Sequence, residues 1–315
     1  MDNPPRLSFS TQLQSLQIAW DSTSLGALKW CPRYYQYSIL EGWVPRSESV
    51  HLAFGIHLHS ALERYDHLRA QGEPHAEALR STVRGLLTAT WDSERKRPWV
   101  SDDPSKNRLT LVRSVVWYLE NFTDDPLTTI IRADGKPAVE LSFRFEPNLS
   151  SKLTGETLLL CGHIDRLVEF NDAPWVVDRK TTKYSLSPEY FDKYSPDNQF
   201  SLYALAGRLV FNTPVSGLIV DAIQVGATFS RFSRGIVNRS PEQLTEWFTD
   251  FQWWIALAER FAEVNYWPQN DRACGMFGGC PYRPICGRSP SVRDQWLKAS
   301  YTKRSWDPLR VRGDI

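Results

Sequence analysis

Long apolar runs, a leader pattern and a charge imbalance are all missing from this sequence. No stretch of eighteen consecutive apolar residues occurs, so we expect no transmembrane helix. The first twenty residues have no basic segment followed by an apolar block, which predicts no secretory signal and a cytoplasmic location. The formal net charge is only +1, so any contact with nucleic acid would need a local basic surface.

Cysteine is scarce, and internal repeats are absent. The 315 residues are 42% hydrophobic, with 13 Trp, 12 Tyr and 15 Phe, a composition that excludes a disordered chain, a collagen and a coiled coil. A chain of this length can bury about 75% of the surface that its unfolded form exposes, so it needs no disulfides to build a core. Its five cysteines are therefore expected to be metal ligands or buried thiols.

The hydrophobic periodicity predicts a helical beginning, a mixed α/β middle and an irregular end. Pro32 predicts a helix break near Cys31. The apolar stripe of the second helix is made of residues that recur at helical spacing, Leu52, Ile56, Leu62 and Tyr65. Helices are expected over 22–40, 49–70, 75–97, 107–122, 189–211 and 240–265. Strands are expected over 138–146, 157–170, 174–182, 217–230 and 234–240, and a loop over 268–290.

Charged residues on two neighbouring strands are the strongest chemical signal. A short loop at Asn171 and Asp172 pairs residues whose numbers sum to 343, which places Asp165 opposite Asp178. Asp178 and Lys180 share a strand face because strand side chains alternate. Two carboxylates about 4 Å apart repel by roughly 4 kcal/mol at an effective dielectric constant near 20, so such a pair takes up a proton or a cation. The alternative is that these are solvated charges at a strand edge.

The chemistry that fits this charge pattern is metal-assisted hydrolysis. Carboxylate oxygens suit Mg²⁺ or Mn²⁺. A nearby lysine can orient a water molecule and offset the charge that develops on a phosphate. Hydrolysis of a phosphodiester would use both carboxylates and the lysine.

Several short motifs occur in one order between residues 22 and 287. In chain order they are a Cys-Pro pair (Cys31 and Pro32), G-x-x-x-H (Gly55 and His59), G-H-I-D-R (162–166), V-V-D-R-K (176–180), Q-x-x-x-Y (Gln199 and Tyr203) and a late cysteine trio (Cys274, Cys280 and Cys286). This order resembles the PD-(D/E)XK nuclease superfamily. Within it, the chain is most similar to the RecB-type branch, which includes CRISPR-associated nucleases with an iron–sulfur cluster.

The resemblance implies a role for each residue that matches a motif. The divalent metal would be held by His59, Asp165, Asp178 and the backbone oxygen of Arg179. Lys180 would be the catalytic lysine, and Gln199 and Tyr203, four apart on one helix face, would orient the metal site or the DNA strand. Glu63, four residues after His59, could orient the imidazole. A core or surface histidine remains the alternative for His59.

The cysteines suggest a second cofactor. By resemblance, a [4Fe–4S] cluster would be held by Cys31, Cys274, Cys280 and Cys286. The family spacing is C-x2-C-x5-C, whereas the late cysteines here follow C-x5-C-x5-C, so Zn²⁺ stays an alternative. The fifth cysteine, Cys161, lies among leucines and is expected to be a buried apolar residue.

The C-terminal residues combine cations with aromatic rings. Residues 288–315 carry seven Lys or Arg against three Asp, with Trp296, Tyr301 and Trp306 interleaved. This pattern suits single-stranded nucleic acid. A solvated tail that packs on the domain through its aromatic rings is the favoured alternative.

Together these features predict an α/β fold with a restriction-endonuclease-like mixed central sheet flanked by helices. Residues 1–130 would form an N-terminal helical cover with Cys31 and His59, residues 131–265 the nuclease core, and residues 266–315 a cysteine clasp and basic tail. The expected activity is a Mg²⁺- or Mn²⁺-dependent deoxyribonuclease, an exonuclease on single-stranded ends. It would serve repair, recombination, phage replication or CRISPR adaptation, with a helicase, recombination or CRISPR protein as partner. The alternative is an inactive iron–sulfur or zinc DNA-binding subunit.

Overall fold

The computed structural model describes residues 8–47, 49–209 and 215–311. Contacts between Cα atoms divide these residues into two compact units. The first unit contains residues 8–47, 142–162 and 240–311, and the second contains residues 49–141, 163–209 and 215–239. Both units are therefore built from segments that are distant in the sequence, and the three predicted sequence segments stay a prediction.

Helices predominate before residue 122, four strands follow one another between residues 128 and 182, and helices and strands occur in short runs after that. In the described residues the helices are α1 (Ser22–Trp30), α2 (Pro32–Tyr35), α3 (Val50–Ala70), α4 (His75–Ala89), α5 (Arg108–Asn121), α6 (Pro188–Asp192), α7 (Asn198–Leu209), α8 (Pro241–Glu263), α9 (Arg283–Cys286) and α10 (Arg293–Ser300). The strands are β1 (Ala19–Trp20), β2 (Trp43–Pro45), β3 (Trp91–Asp92), β4 (Arg97–Pro98), β5 (Thr128–Thr129), β6 (Val139–Phe145), β7 (Leu159–Phe170), β8 (Ala173–Thr182), β9 (Gly217–Val225), β10 (Ser230–Val237) and β11 (Tyr301–Lys303).

The fold is mixed α/β with a central mixed sheet flanked by helices, as predicted. Strand β7 pairs antiparallel with β8, β8 parallel with β9, and β9 antiparallel with β10. The short strands β1, β5 and β6 also pair with β7. In the second unit, α5 packs on β9 and β10, whereas α7 contacts β8 and β9.

The turn between β7 and β8 fixes the register of the strands that carry the charged residues. Asn171 and Asp172 adopt positive φ angles of 51° and 55°, as the two central residues of a tight hairpin turn do. Phe170 consequently pairs with Ala173, and Arg166 with Val177. This register is the predicted one, with residue numbers that sum to 343.

Three helices and one strand enclose the apolar core of the second unit. It includes Phe54 and Leu58 of α3, Leu86 of α4, Leu111 of α5 and Ile223 of β9. Of the predicted stripe, Leu62 and Tyr65 are buried, whereas the prediction is wrong for Leu52 and Ile56, which are 56% and 49% exposed. The contacts of α4 and α5 select the face with Phe54, Leu58 and Leu62, and the period of α3 alone does not show which face is covered.

The first unit joins the beginning of the chain to its end. Strand β2 pairs antiparallel with β11, and Tyr282 stacks on Tyr301 beside them. The predicted break at Cys31 separates α1 from α2. The predicted start of α8 is also correct, since Ser240 and Gln243 form a reciprocal capping box.

Several predicted boundaries are wrong. The helix over 75–97 ends at Ala89, and β3 and β4 follow it. The helix over 189–211 is split into α6 and α7 around Pro196, and residues 210–211 lie outside the described residues. The loop over 268–290 contains a 3-10 helix, Asp271–Gly278, as well as α9. In the described part of the chain, no helix combines the length and apolarity that crossing a bilayer requires.

Candidate active site

Strand β8 places Asp178 and Lys180 side by side, as the strand alternation predicts. Asp178 Oδ2 lies 2.7 Å from Lys180 Nζ, and Asp178 is 1% exposed. Burial raises the pKa of Asp178, and the nearby Asp165 carboxylate raises it further against the opposing effect of Lys180. Burial by itself would lower the pKa of Lys180, but the two carboxylates outweigh it and raise this pKa. Lys180 is therefore a firmly charged ammonium beside a carboxylate that resists ionisation.

Asp165 marks the place where β7 and β8 stop pairing. The described ladder ends at Arg166 and Val177, so Asp165 is next to the last pair rather than in a ladder pair with Asp178. Its Oδ2 instead accepts a hydrogen bond of 2.8 Å from the backbone N–H of Arg179. The register prediction thus brings the two aspartates close, while the carboxylate of Asp165 ties the end of one strand to the backbone of the other.

Helix α3 and strand β6 add two further groups to Asp165. His59 Nδ1 lies 3.5 Å from Asp165 Oδ2, as the motif order predicts. A ligand atom from each of His59, Glu140 and Asp165 lies within 4.8 Å of the other two. A point central to three atoms so placed is at most about 2.8 Å from each, since 4.8/√3 ≈ 2.8. A divalent ion needs about 2.0–2.6 Å, so this set fits an ion with shifts of a few tenths of an ångström.

Glu140 is the site residue that the sequence did not single out. It is 9% exposed and lies in β6 between buried Val139 and Leu141. Its φ angle is 48°, which is uncommon for a residue other than glycine and accompanies functional sites. A signal was present, because a carboxylate inside an apolar strand is the same feature that marked Asp165 and Asp178.

The donor set of this group suits a hard divalent ion. Two carboxylates and one imidazole are ligands that Mn²⁺ and Mg²⁺ accept, with the nitrogen more favourable to Mn²⁺. Asp178 is outside the three-residue group but is coupled electrostatically to Asp165. Glu63, a predicted partner of the imidazole, has Oε1 4.0 Å from Nε2 of His67, and its predicted role stays a prediction.

Gln199 and Tyr203 form a directed chain of hydrogen bonds from Lys180. The Lys180 ammonium donates to Gln199 Oε1 at 2.7 Å, and Gln199 Nε2 donates to the Tyr203 hydroxyl oxygen at 2.7 Å. The Tyr203 hydroxyl donates in turn to the backbone carbonyl of His163. A carbonyl only accepts, so it fixes the direction of the whole chain and turns the amide oxygen of Gln199 toward Lys180. Burial and the two aspartates raise the pKa of Tyr203 well above its usual value, which keeps this donor protonated.

The four predicted cluster cysteines lie in the first unit. The backbone N–H of Asn270 donates to Cys31 Sγ at 3.4 Å, and the Cys280 N–H donates to the carbonyl of Cys274 at 3.0 Å. Burial raises the pKa of Cys280, and the thiols of Cys274 and Cys31 contribute in the same direction. Burial also raises the pKa of Cys286, with Cys280 and Cys31 among the further causes. Asn270 contacts both Cys31 and Cys274, and Cys280 and Cys286 pack on one apolar cluster, so the four cysteines lie in one region. Cys161 is separately buried, as predicted.

The C-terminal aromatics are divided between the core and the surface. Tyr301 is buried against Tyr282, whereas Trp296 is 40% exposed with the Arg288 guanidinium over its ring. The predicted nucleic-acid contact of this segment stays a prediction. Arg312 lies outside the described residues.

Comparisons with known proteins agree with the geometry of the site. Among solved structures, the chain is similar to that of a candidate exonuclease from Eubacterium rectale, with a TM-score of 0.50 and 11% identity over 94% of this chain and 98% of that one. The structure of a protein named SSO0001 has a TM-score of 0.37 and 12% identity over 86% of this chain and 87% of that one, too low to carry an argument. No curated protein matches the sequence. A family model described as the PD-(D/E)XK nuclease superfamily matches residues 21–287, and the chain therefore belongs to this superfamily.

Proposed function

We propose that this protein is a metal-dependent deoxyribonuclease that hydrolyses phosphodiester bonds and acts as an exonuclease on single-stranded DNA ends. The observation that carries the proposal is the convergence of His59, Glu140 and Asp165 beside the Asp178–Lys180 pair. Three strands that carry acidic residues, β6, β7 and β8, meet helix α3 there, although more than 100 residues separate His59 from Asp165.

The residues that would hold Mg²⁺ or Mn²⁺ are His59, Glu140, Asp165, Asp178 and the backbone oxygen of Arg179. When bound, the ion supplies Lewis-acid activation of water and neutralises charge at the phosphate. Asp165 has a second task, because its bond to the Arg179 N–H holds the backbone of β8 against the end of β7. This bond restricts the position of Arg179 and of the ligands on either side of it.

Lys180 would act on the attacking water and on the phosphate. Its raised pKa keeps the ammonium charged at neutral pH, and a fixed cation stabilises charge that develops in a transition state. The bond from Lys180 to Gln199 restricts the ammonium to one orientation. Tyr203 and the carbonyl of His163 hold the amide of Gln199 in place, so Q-x-x-x-Y would serve to orient the lysine.

One surface feature favours a single-stranded substrate, and one comparison favours action at DNA ends. Tyr184, four residues beyond Lys180, is 65% exposed. The ammonium of Lys183 lies 5.6 Å from the centre of its ring. A ring of this kind beside a cation offers a base a surface on which to stack. The similar protein from Eubacterium rectale is named a candidate exonuclease, which supports action at DNA ends.

A nuclease assay with Mn²⁺ tests the proposal. End-labelled single-stranded DNA, end-labelled duplex and covalently closed circular single-stranded DNA are each incubated with the parent protein, with Lys180→Ala and with a control variant. The control is Lys152→Ala, which removes an exposed ammonium in the first unit. We expect the parent and the control to degrade linear single strands from an end and to spare the circle. Lys180→Ala should lose about 10²–10³-fold in kcat. Equal cleavage by all three proteins would reject the site, and no cleavage by the parent would favour a DNA-binding subunit.

We further propose that Cys31, Cys274, Cys280 and Cys286 hold a [4Fe–4S] cluster, with Zn²⁺ as the alternative. Four thiolates suit either an iron–sulfur cluster or a tetrahedral zinc ion. The choice of the cluster rests on the resemblance of the early Cys-Pro pair and the late cysteine trio to the family's motifs. The cluster would tie α2 to the C-terminal segment of the first unit.

Metal analysis after anaerobic purification distinguishes the two cofactors. For the cluster we expect the purified protein to contain iron and acid-labile sulfide and to absorb at roughly 400 nm. Zinc in a ratio of one per chain, without sulfide, would reject it.

A further inference from the structure

The face of β8 that carries the Arg179 side chain holds a buried network of charges. One carboxylate, that of Asp66 in α3, contacts two guanidinium groups from neighbouring strands. Asp66 Oδ2 lies 2.6 Å from Arg179 Nη1, and Asp66 Oδ1 lies 3.6 Å from Arg166 Nη1. Asp66, Arg166 and Arg179 are 4%, 7% and 4% exposed. Asp66 therefore bridges β7 and β8 to helix α3.

Both arginines adjoin proposed ligands in the sequence. Arg166 follows Asp165, and Arg179 follows Asp178. The backbone N–H of Arg179 donates to Asp165, while its side chain reaches Asp66 on the other side of the strand. The backbone N–H groups of a strand lie in the plane of its sheet, whereas its side chains stand roughly perpendicular to that plane. The side chain of Arg179 is consequently anchored in the charge network, while its backbone lies at the metal site.

The position of Asp66 on α3 links the network to His59. The two residues are seven apart, so they lie on the same helix face, two turns and about 10.5 Å from each other. His59 contacts Asp165 and Asp66 contacts Arg166. Asp165 and Arg166, which are adjacent in β7, thus both contact α3. Asp165 does so at the proposed metal site and Arg166 in the charge network.

Asp66 is ionised in this environment. Burial would raise its pKa, but the charges of Arg166 and Arg179 and the hydrogen bond from Arg179 outweigh burial and lower it. An ionised carboxylate that bridges two guanidiniums is a rigid connection, because charge-assisted bonds of this type are short and directional. Removing one member would leave buried charge uncompensated.

We propose that Asp66 is a positioning residue, which fixes α3 against β7 and β8 and thereby holds His59 in place to bind a divalent ion together with Asp165. This inference rests on the proposed metal site. Asp66 itself touches neither the ion nor the substrate. Its effect resembles that of an outer partner that orients a ligand, whose loss typically weakens metal binding 10- to 100-fold.

The test is a calorimetric titration of the metal-free protein with Mn²⁺, which needs no turnover. We expect Asp66→Asn to raise the Kd for Mn²⁺ at least tenfold. The matched control is Asp125→Asn, because Asp125 belongs to the same network through Arg234, at 2.6 Å, and Arg166, at 3.8 Å, but lies outside α3. Asp125→Asn should lower the melting temperature and leave the Kd within about twofold of the parent.

A double-mutant cycle shows whether Asp66 acts through His59. In the His59→Ala background, Asp66→Asn should change the Kd for Mn²⁺ by less than threefold. If Asp66→Asn does not fold, the charge-balanced pair Asp66→Asn with Arg166→Gln is titrated instead, with the same tenfold weakening expected.

Three results would overturn the inference: an unchanged Kd in the folded Asp66 variant, equal weakening by Asp125→Asn, or full additivity with His59→Ala. Each presupposes that the parent binds Mn²⁺. A parent that binds no Mn²⁺ would instead reject the proposed metal site, so the two failures are distinguishable.

Discussion

Replacing Glu140 by glutamine should make the metal-free protein more stable and should reduce the stabilisation that bound Mn²⁺ provides. Glutamine keeps the size of the side chain and removes its charge. In the metal-free protein, oxygens of Glu140 and Asp165 lie no more than 4.8 Å apart, and two unit charges at 4.8 Å repel by about 3.5 kcal/mol at an effective dielectric constant near 20. Because Glu140 and Asp165 are largely buried, solvent screening reduces this value little. The metal-free variant should therefore be more stable than the parent, by about 3.5 kcal/mol.

In the presence of Mn²⁺ the same substitution removes a charged ligand. We expect at least the 100-fold weakening that loss of an outer partner can cause. At a Mn²⁺ concentration 100 times the Kd of the parent, binding stabilises the parent by about 2.7 kcal/mol and the variant by RT ln 2, about 0.4 kcal/mol. The difference of about 2.3 kcal/mol corresponds to roughly 5–9 °C in Tm.

Thermal unfolding with and without Mn²⁺ checks both effects. The control is Glu169→Gln, which removes a charge from an exposed position of β7. The control should show the Mn²⁺-induced shift of the parent. A variant at Glu140 that keeps the full Mn²⁺-induced shift would contradict the assignment of Glu140 as a ligand. A less stable metal-free variant would contradict the repulsion argument.

Three further results are expected. Tyr203→Phe should lower kcat about tenfold and stability by roughly 1–3 kcal/mol, because the carbonyl of His163 and the amide of Gln199 lose their partner; single-turnover kinetics and urea unfolding measure these changes, and an unaltered kcat would remove the orienting role. As the pH is raised toward 7, the affinity for Mn²⁺ should increase up to tenfold per pH unit, and above pH 7 it should level off. The reason is that the pKa of Asp178 is raised to about 7, so that below this pH the ion must displace the proton of Asp178. Equal calorimetric Kd values at pH 6 and pH 8 would contradict this. Cys280→Ser should abolish bound iron and lower the Tm, whereas the control Cys161→Ser should retain iron; iron in both variants would exclude Cys280 as a ligand.

Local sequence patterns were sufficient to predict the register of β7 and β8 and the placement of Asp178 beside Lys180. Asn171 and Asp172 determine a two-residue turn, because they tolerate positive φ, and that turn sets the register of β7 and β8. Once the register is set, strand alternation places Asp178 and Lys180 on one face. The capping box of α8 is equally local, since all its bonds lie within four residues.

The rest of the site, which includes Glu140 and the contacts of α3, depended on contacts between separate segments of the chain. The sequence determined which residue types carry charge and which strands are apolar, and the order of the motifs added His59 by resemblance. Only the tertiary structure decided that Glu140 joins His59 and Asp165, that Leu52 and Ile56 face outward, and that Asp66 contacts both arginines. The physical reason is that these arrangements depend on how α3 packs against α4, α5, β7 and β8, and on how β6 pairs with β7. Packing between segments that are separated by tens of residues or more leaves no periodic signal in the segments themselves.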